Sequence, residues 1–247
     1  MNLPSSIRLF FSTDYNLSST PRRGYKYASV FFTLYLVTVL STEILATRFT
    51  DVFGYIVPGG IFIFPLTFVI NDIAGEVYGY AEPKKYIWLG FLAEIIFAAV
   101  VMAVAHADYP ATFTHAKDFQ VVLDPTFRYA ISSLMGIFVG EFLNIYILSK
   151  LKILTKGKKF PIRFIISNAI GQLFLSIVVD TLIFFGKVDF STFLHMVWNG
   201  YVWKMAIALI FALPAWLLII KLKRAEGVDV YDHNVNYNPF SPKTYKD

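Results

Sequence analysis

The chain predicts an all-α, polytopic membrane protein with six transmembrane helices, and three observations point there. The first is composition: of 247 residues, 56% are hydrophobic, 18% aromatic and only 16% charged, where a soluble domain carries about 25% charged residues. A mean hydropathy of +0.57 could not be solvated as a monomer. The second is that the apolar residues fall in long runs, which favours one polytopic domain over two soluble ones. The third is where the cations sit. The net charge is +5 and the pI near 9.2, but the Lys and Arg residues cluster between the apolar runs. That pattern marks membrane orientation rather than a phosphate-binding face.

A hydrocarbon core about 30 Å thick needs roughly 20 apolar helical residues. Six runs qualify: Tyr27–Ala46, Tyr55–Tyr80, Tyr86–Ala105, Phe127–Leu148, Ile162–Phe185 and Asn199–Ile220. Five are plain. The second is broken by Pro58-Gly59-Gly60 and Pro65 and turns polar after Ile70. Between the third and fourth, Asp124-Pro125 reads as the cap and first turn of the fourth helix, and residues 114–123 suit a short interfacial helix. With the N-terminus inside, seventeen Lys and Arg residues are cytoplasmic. Five (Arg48, Lys117, Arg128, Lys187 and Lys204) are outside or at outer span ends. This bias predicts both termini to be cytoplasmic. Residues 1–26 form a cytoplasmic segment without an apolar stretch long enough for a signal core, and 27–224 form the membrane domain. Residues 225–247, with Asn236, Asn238, Pro239 and Pro242, read as a flexible cytoplasmic tail.

The absence of cysteine excludes disulfides, thiolate chemistry, Cys-zinc sites and iron–sulfur clusters. The spans nonetheless hold six acids: Glu43, Asp72, Glu76, Glu94, Glu141 and Asp180. Each costs about 3 kcal/mol at a helix centre, and only Lys204 stands out as a comparable base within a span. The acids form patterns. Asn168, Gln172, Ser176 and Asp180 recur every four residues, a single polar stripe along the fifth span. Phe68, Asp72 and Glu76 share a face of the second. Glu141 and Asn144 lie one above the other on the fourth, near Gly136 and Gly140, whose spacing is that of a helix-packing contact. Asp180 with Lys204 reads equally as a structural ion pair or a working one, and Glu43 could snorkel to the outer surface.

These residues accept hydrogen bonds, so a ligand held among them should be cationic or rich in N–H donors. Unwound backbone at membrane depth is tolerated where it lines a cavity, which fits the broken second span. Neither a His-Glu-x-x-His helix nor a Gly-x-Ser-x-Gly elbow nor a phosphate-binding loop is present. The residues therefore point to a transporter rather than an enzyme, with no cofactor and no metal.

A run of motifs sharpens this. Pro58-Gly59-Gly60, Phe64-Pro65-Leu66-Thr67-Phe68, and Asp72-x-x-x-Glu76-x-x-Gly79 occupy the second span. Gly140-Glu141-x-x-Asn144 follows in the fourth, and Arg163, Ser167-Asn168, Gly171-Gln172 and Asp180-Thr181 in the fifth. From about Ser29 to Lys223 the chain resembles the queuosine precursor transporter family, grouped with vitamin uptake transporters. The resemblance implies import, across the bacterial inner (plasma) membrane, of 7-cyano-7-deazaguanine, 7-aminomethyl-7-deazaguanine or queuine, for queuosine formation in tRNA. It implies a six-helix form like that of energy-coupling-factor substrate-binding subunits, but operation without an ATPase partner and without direct nucleic-acid contact. The alternative is such a substrate-binding subunit. However, the first helix offers only Thr38, Thr42 and Ala46 as small residues for docking an ATPase module. For a guanine-type ring, one carboxylate can accept N1–H and the 2-amino group together. The expected substrate site is Asp72, Glu76, Glu141, Asn144, Asn168, Gln172 and Asp180, with Glu76 first and Asp180 second for the guanine edge. Glu94, Lys204 and Glu43 are expected in coupling or structural roles.

Overall fold

The computed structural model describes residues 24–52, 54–184 and 186–245, so most of the expected N-terminal segment, with Arg8, Arg22 and Arg23, lies outside the described residues. Six long helices carry the fold: α1 (Ala28–Ala46), α2 (Pro65–Tyr78), α3 (Ala81–Ala105), α4 (Ala116–Leu154), α5 (Phe160–Phe184) and α6 (Phe190–Glu226). All six are long and apolar enough to cross a membrane, α2 together with the turn that precedes it. Large apolar side chains such as Val37, Leu92, Ile96, Val100, Ile210 and Leu213 stay exposed on the outside of the bundle, as a lipid-facing surface requires.

The break in the second span is a change of backbone type. Two antiparallel strands, β1 (Phe49–Val52) and β2 (Tyr55–Pro58), pair from Phe49↔Pro58 to Val52↔Tyr55. A single 3-10 turn over Gly59–Phe62 follows, and Pro65, at the first helical position, opens α2. The hairpin is a feature that the apolar run concealed. The segment Gly59–Tyr78 is 78% buried, against 22% for α3, so α2 is the central helix. It packs against α1, α3, α4 and α6.

Two helices outrun their expected limits. At about 1.5 Å per residue the 39 residues of α4 span about 58 Å. Pro125 lies inside this helix rather than at its start. Asp124 pairs with His106, 3.4 Å away, instead of capping, and Gln120 is tied to the Ala105 carbonyl. The expected interfacial helix is thus the first turns of α4. The helix α6 likewise begins at Phe190, where the Asp189 side chain accepts from the Thr192 N–H.

The pair α4 and α5 is the most extensively packed, and glycines set its closeness. A methyl group on Gly140 would lie 2.6 Å from Leu175 Cβ and 2.7 Å from the Gly171 carbonyl oxygen. The backbones therefore touch, as small-residue spacing in a membrane helix allows.

The start of α1 and the end of α6 meet at one end of the bundle: Glu226, at the end of α6, accepts from the backbone N–H groups of Lys26 and Tyr27 before α1. Residues beyond α6 are packed there, where the sequence suggested a flexible tail. The Val230 N–H bonds to the Val77 carbonyl, and Asp232 accepts from the Tyr80 N–H and the Ser149 hydroxyl. Lys84 donates to the carbonyls of Asn238 and Ser241. Gly79, at φ +80°, leaves the room: a Cβ there would lie 2.7 Å from Val230 and 2.8 Å from Asp232. Polarity alone reads as disorder, but these polar groups have fixed partners on the bundle. This is the tail end of the bundle; the opposite one is the hairpin end.

A polar column and its cavity

The side chains expected to form one site are strung along the bundle axis instead. At the tail end, the Glu76 carboxylate on α2 is gripped by the Arg163 guanidinium of α5 through two contacts of 2.7 and 3.1 Å. Lys223 of α6 adds a third at 2.8 Å. Lys152 of α4 donates to the Glu76 backbone carbonyl at 2.6 Å and to Asp229 at 2.7 Å, and Asp229 also meets Lys223 at 2.9 Å. Burial pushes the Asp229 carboxyl up, but the Lys152 and Lys223 ammonium groups outweigh it and hold the carboxyl below the usual range. Charge-assisted bonds of this kind are the strong ones, and here they fasten four helices and the tail at one point.

One layer inward, Asp72 accepts from Asn144 at 2.6 Å and from Asn168 at 2.5 Å. Gln172 donates to the Asn168 side-chain oxygen at 3.3 Å. These four are joined directly because α4 and α5 approach so closely, and all four are fully buried. Beside them Glu141 accepts from the Tyr35 hydroxyl at 2.8 Å and from Asn71 at 2.7 Å.

Toward the hairpin end donors run out. Glu43 takes one bond, from Ser133 at 2.7 Å. Among the described residues the buried carboxylate and amide oxygens without a donor are Glu43 Oε2, both oxygens of Glu94, Glu141 Oε1, Asn71 Oδ1, Asn144 Oδ1 and Gln172 Oε1. Above them lies a cavity of about 180 Å³ whose wall includes Glu43, Ser133, Asp180, Asn199, Lys204 and Phe64. Lys204 donates to Ser176 at 2.8 Å. Among the described residues it makes no direct ion pair with Asp180, although both face the cavity.

The structure thus brings Asp72, Asn144, Asn168 and Gln172 together with Glu141 beside them. It sets Glu76 apart at the tail end and Asp180 at the cavity. Sequence reasoning missed Lys152 and Lys223, which read as members of the inner basic clusters, and the Tyr35 hydroxyl and Asn199, which carried no pattern. The four-residue stripe on α5 was the one signal that traced the column.

Among the described residues no group of three or more His, Asp or Glu is placed to hold a metal ion. What the arrangement offers is buried acceptors beneath a partly enclosed cavity, a setting in which a buried acceptor costs free energy until a donor reaches it.

Comparison with known proteins fits such an arrangement. A family model described as "Putative vitamin uptake transporter" matches residues 58–219, more than half of the chain, from the broken second span to α6. The chain is similar to the "Probable queuosine precursor transporter" of Bacillus subtilis (strain 168), 23% identical over 189 residues, which cover 76% of this chain and 82% of that protein. No solved structure matches it. A match that runs through every helix of the polar column except α1 leaves one placement: the chain belongs to the vitamin uptake transporter family, as an integral membrane transporter of vitamin or precursor type rather than an enzyme.

Proposed function

We propose that the chain imports a queuosine precursor (7-cyano-7-deazaguanine, 7-aminomethyl-7-deazaguanine or queuine) across the bacterial plasma membrane, without an ATPase partner. The observation that carries this reading is the cavity at the hairpin end, with the acids Asp180 and Glu43 in its wall and the donor-poor column beneath it. A guanine edge presents N1–H and an amino group side by side, and a carboxylate can accept both. Glu76 has both oxygens occupied by Arg163 and Lys223, so the guanine edge falls to Asp180. Phe64 supplies an aromatic wall, and an aminomethyl cation would turn to Glu43. The name of the similar Bacillus subtilis protein supports the same substrate class. The excess of Lys and Arg at the tail end supports a cytoplasmic position for that end, and on this reading the cavity opens toward the outside. The cluster around Glu76, with the docked tail, closes the inner side.

The test is queuosine in tRNA, in a host lacking both precursor synthesis and its own importer, supplied with each deazaguanine in turn at nanomolar concentration. Wild type should restore queuosine with at least one compound. Asp180→Asn should lower uptake about tenfold or more, from the loss of a charge-assisted bond of about 1.5–3 kcal/mol. No restoration by wild type verified in the membrane would overturn the substrate; full activity of Asp180→Asn would overturn the assigned edge.

A further inference from the structure

Glu94 is fully buried, and among the described residues neither of its oxygens has a hydrogen-bond donor. It sits mid-way along α3, where an apolar side chain would avoid the cost of burying a carboxyl. Its carboxyl lies within hydrogen-bonding reach of the Glu43 carboxyl on α1, and Glu43 Oε2 has no donor either. Two acceptor groups therefore face each other. Among the described residues no Lys, Arg or His is paired with either of them. The groups around the pair are the Tyr35 hydroxyl of α1, Glu141 and Ser133 of α4 and, across the cavity, Asp180 of α5 and Lys204 of α6. Tyr35 and Ser133 each donate elsewhere or to the other oxygen, and Lys204 donates to Ser176.

Two carboxylates this close cannot both ionise in a dry site, and each uncompensated buried ion costs several kcal/mol. A proton between them satisfies the orphaned oxygens at once, because a protonated carboxyl donates to its neighbour. Glu43 also lines the cavity, so one member of the pair reaches the aqueous side while the other lies in the wall of the column, next to Glu141. That placement is what a proton carrier needs: loading from the cavity, burial as a neutral pair, release when the opposite side opens.

We propose that Glu43 and Glu94 share a proton and form the coupling site through which a proton gradient drives transport. The proton is taken up from the outer side and released to the cytoplasm, with no bond formed or broken other than that to the proton. The coupling rests on the import reading above; the shared proton does not.

The experiment uses the full chain in proteoliposomes, with labelled 7-cyano-7-deazaguanine as probe and a trapped pH dye. Wild type should show counterflow, and an interior made alkaline should raise accumulation at least fivefold, with proton entry on addition of the probe. Glu94→Gln should keep counterflow and lose both gradient-driven accumulation and proton entry. Counterflow in wild type without response to the gradient overturns the proposal, as does full gradient-driven accumulation by Glu94→Gln. If Glu94→Gln does not fold, Glu43→Gln is read in its place by the same criteria. Absence of counterflow in wild type would count against the substrate reading instead. Infrared spectra then decide the pair, since a protonated-carboxyl band at neutral pH must be present in wild type and lost in Glu94→Gln; a spectrum unchanged by the substitution overturns it.

Discussion

Two groups of buried acids in the same bundle have opposite environments. Glu76, near the tail end, has Arg163 and Lys223 on its oxygens and Lys152 on its carbonyl. Glu94, about four helical turns from that end of the bundle by its place in α3, has no cation and no donor among the described residues. The first acid is a fastener. Its charge is neutralised by residues from three other helices, so its worth lies in holding them together, and nothing is left over for a ligand. The second contributes little to holding the fold, and its cost has to be offset by something that binds. Burial alone, equal in the two, does not tell them apart. The count of donors within reach does.

The comparison breaks most visibly at Arg163. Arg163→Ala leaves the Glu76 charge buried with its best partner gone, and removal of one member of a buried pair costs about 3–5 kcal/mol. Unfolding in detergent should show a loss of that size; a change under about 1 kcal/mol would mean that Lys223 and Lys152 suffice and that the cluster is not a fastener.

A smaller effect is expected at Asp229, which ties the tail to Lys152 and Lys223. It is partly exposed, so Asp229→Asn should weaken docking by about 0.5–1 kcal/mol and speed proteolytic clipping of the tail about two- to fivefold at neutral pH. Because those cations hold the Asp229 carboxyl below its usual range, its contribution is present above the ordinary aspartate value of about 4. It is lost as pH falls through the still lower docked value. The difference between wild type and variant should therefore persist from pH 8 to pH 5 and close only in stronger acid. A difference that closed near pH 6 would contradict the ion pairs.

The smallest effect on stability, and the sharpest contrast, belongs to Glu94→Gln. Here an acid that faces another acid becomes an amide whose N–H₂ can serve the free Glu43 oxygen. Stability should stay within about 1 kcal/mol of wild type or rise, since replacing a poorly compensated buried acid by a neutral group of the same shape is often neutral or favourable. A loss as large as that at Arg163 would place the two acids in the same class.

The six-helix architecture was legible because each hydrocarbon crossing demands its own apolar run, and lipid allows few other ways to satisfy the backbone. The break at Pro58-Gly59-Gly60 and Pro65 was legible for the same reason, as residues that a continuous helix would exclude. The hairpin Phe49–Pro58 was not, since a short apolar strand and the start of an apolar helix look alike. The start of α4 was misplaced because Asp124-Pro125 carries a cap signal although the helix already begins at Ala116 and runs through Pro125.

Local pattern also named the buried acids of the spans, through their cost in a membrane, but not Asp232, which is buried only because the tail docks. It could not rank them. The stripe Asn168, Gln172, Ser176 and Asp180 gave the direction of the column along one helix, because i and i+4 share a face. Which acid meets a cation, which meets an amide and which meets another acid depends on helices that are distant in sequence: Glu76 with Arg163, Asp72 with Asn144, Glu43 with Glu94. Side-chain chemistry and spacing are properties of one segment and can be read there. Neutralisation belongs to a pair, and only the packing of the helices brings the pair together.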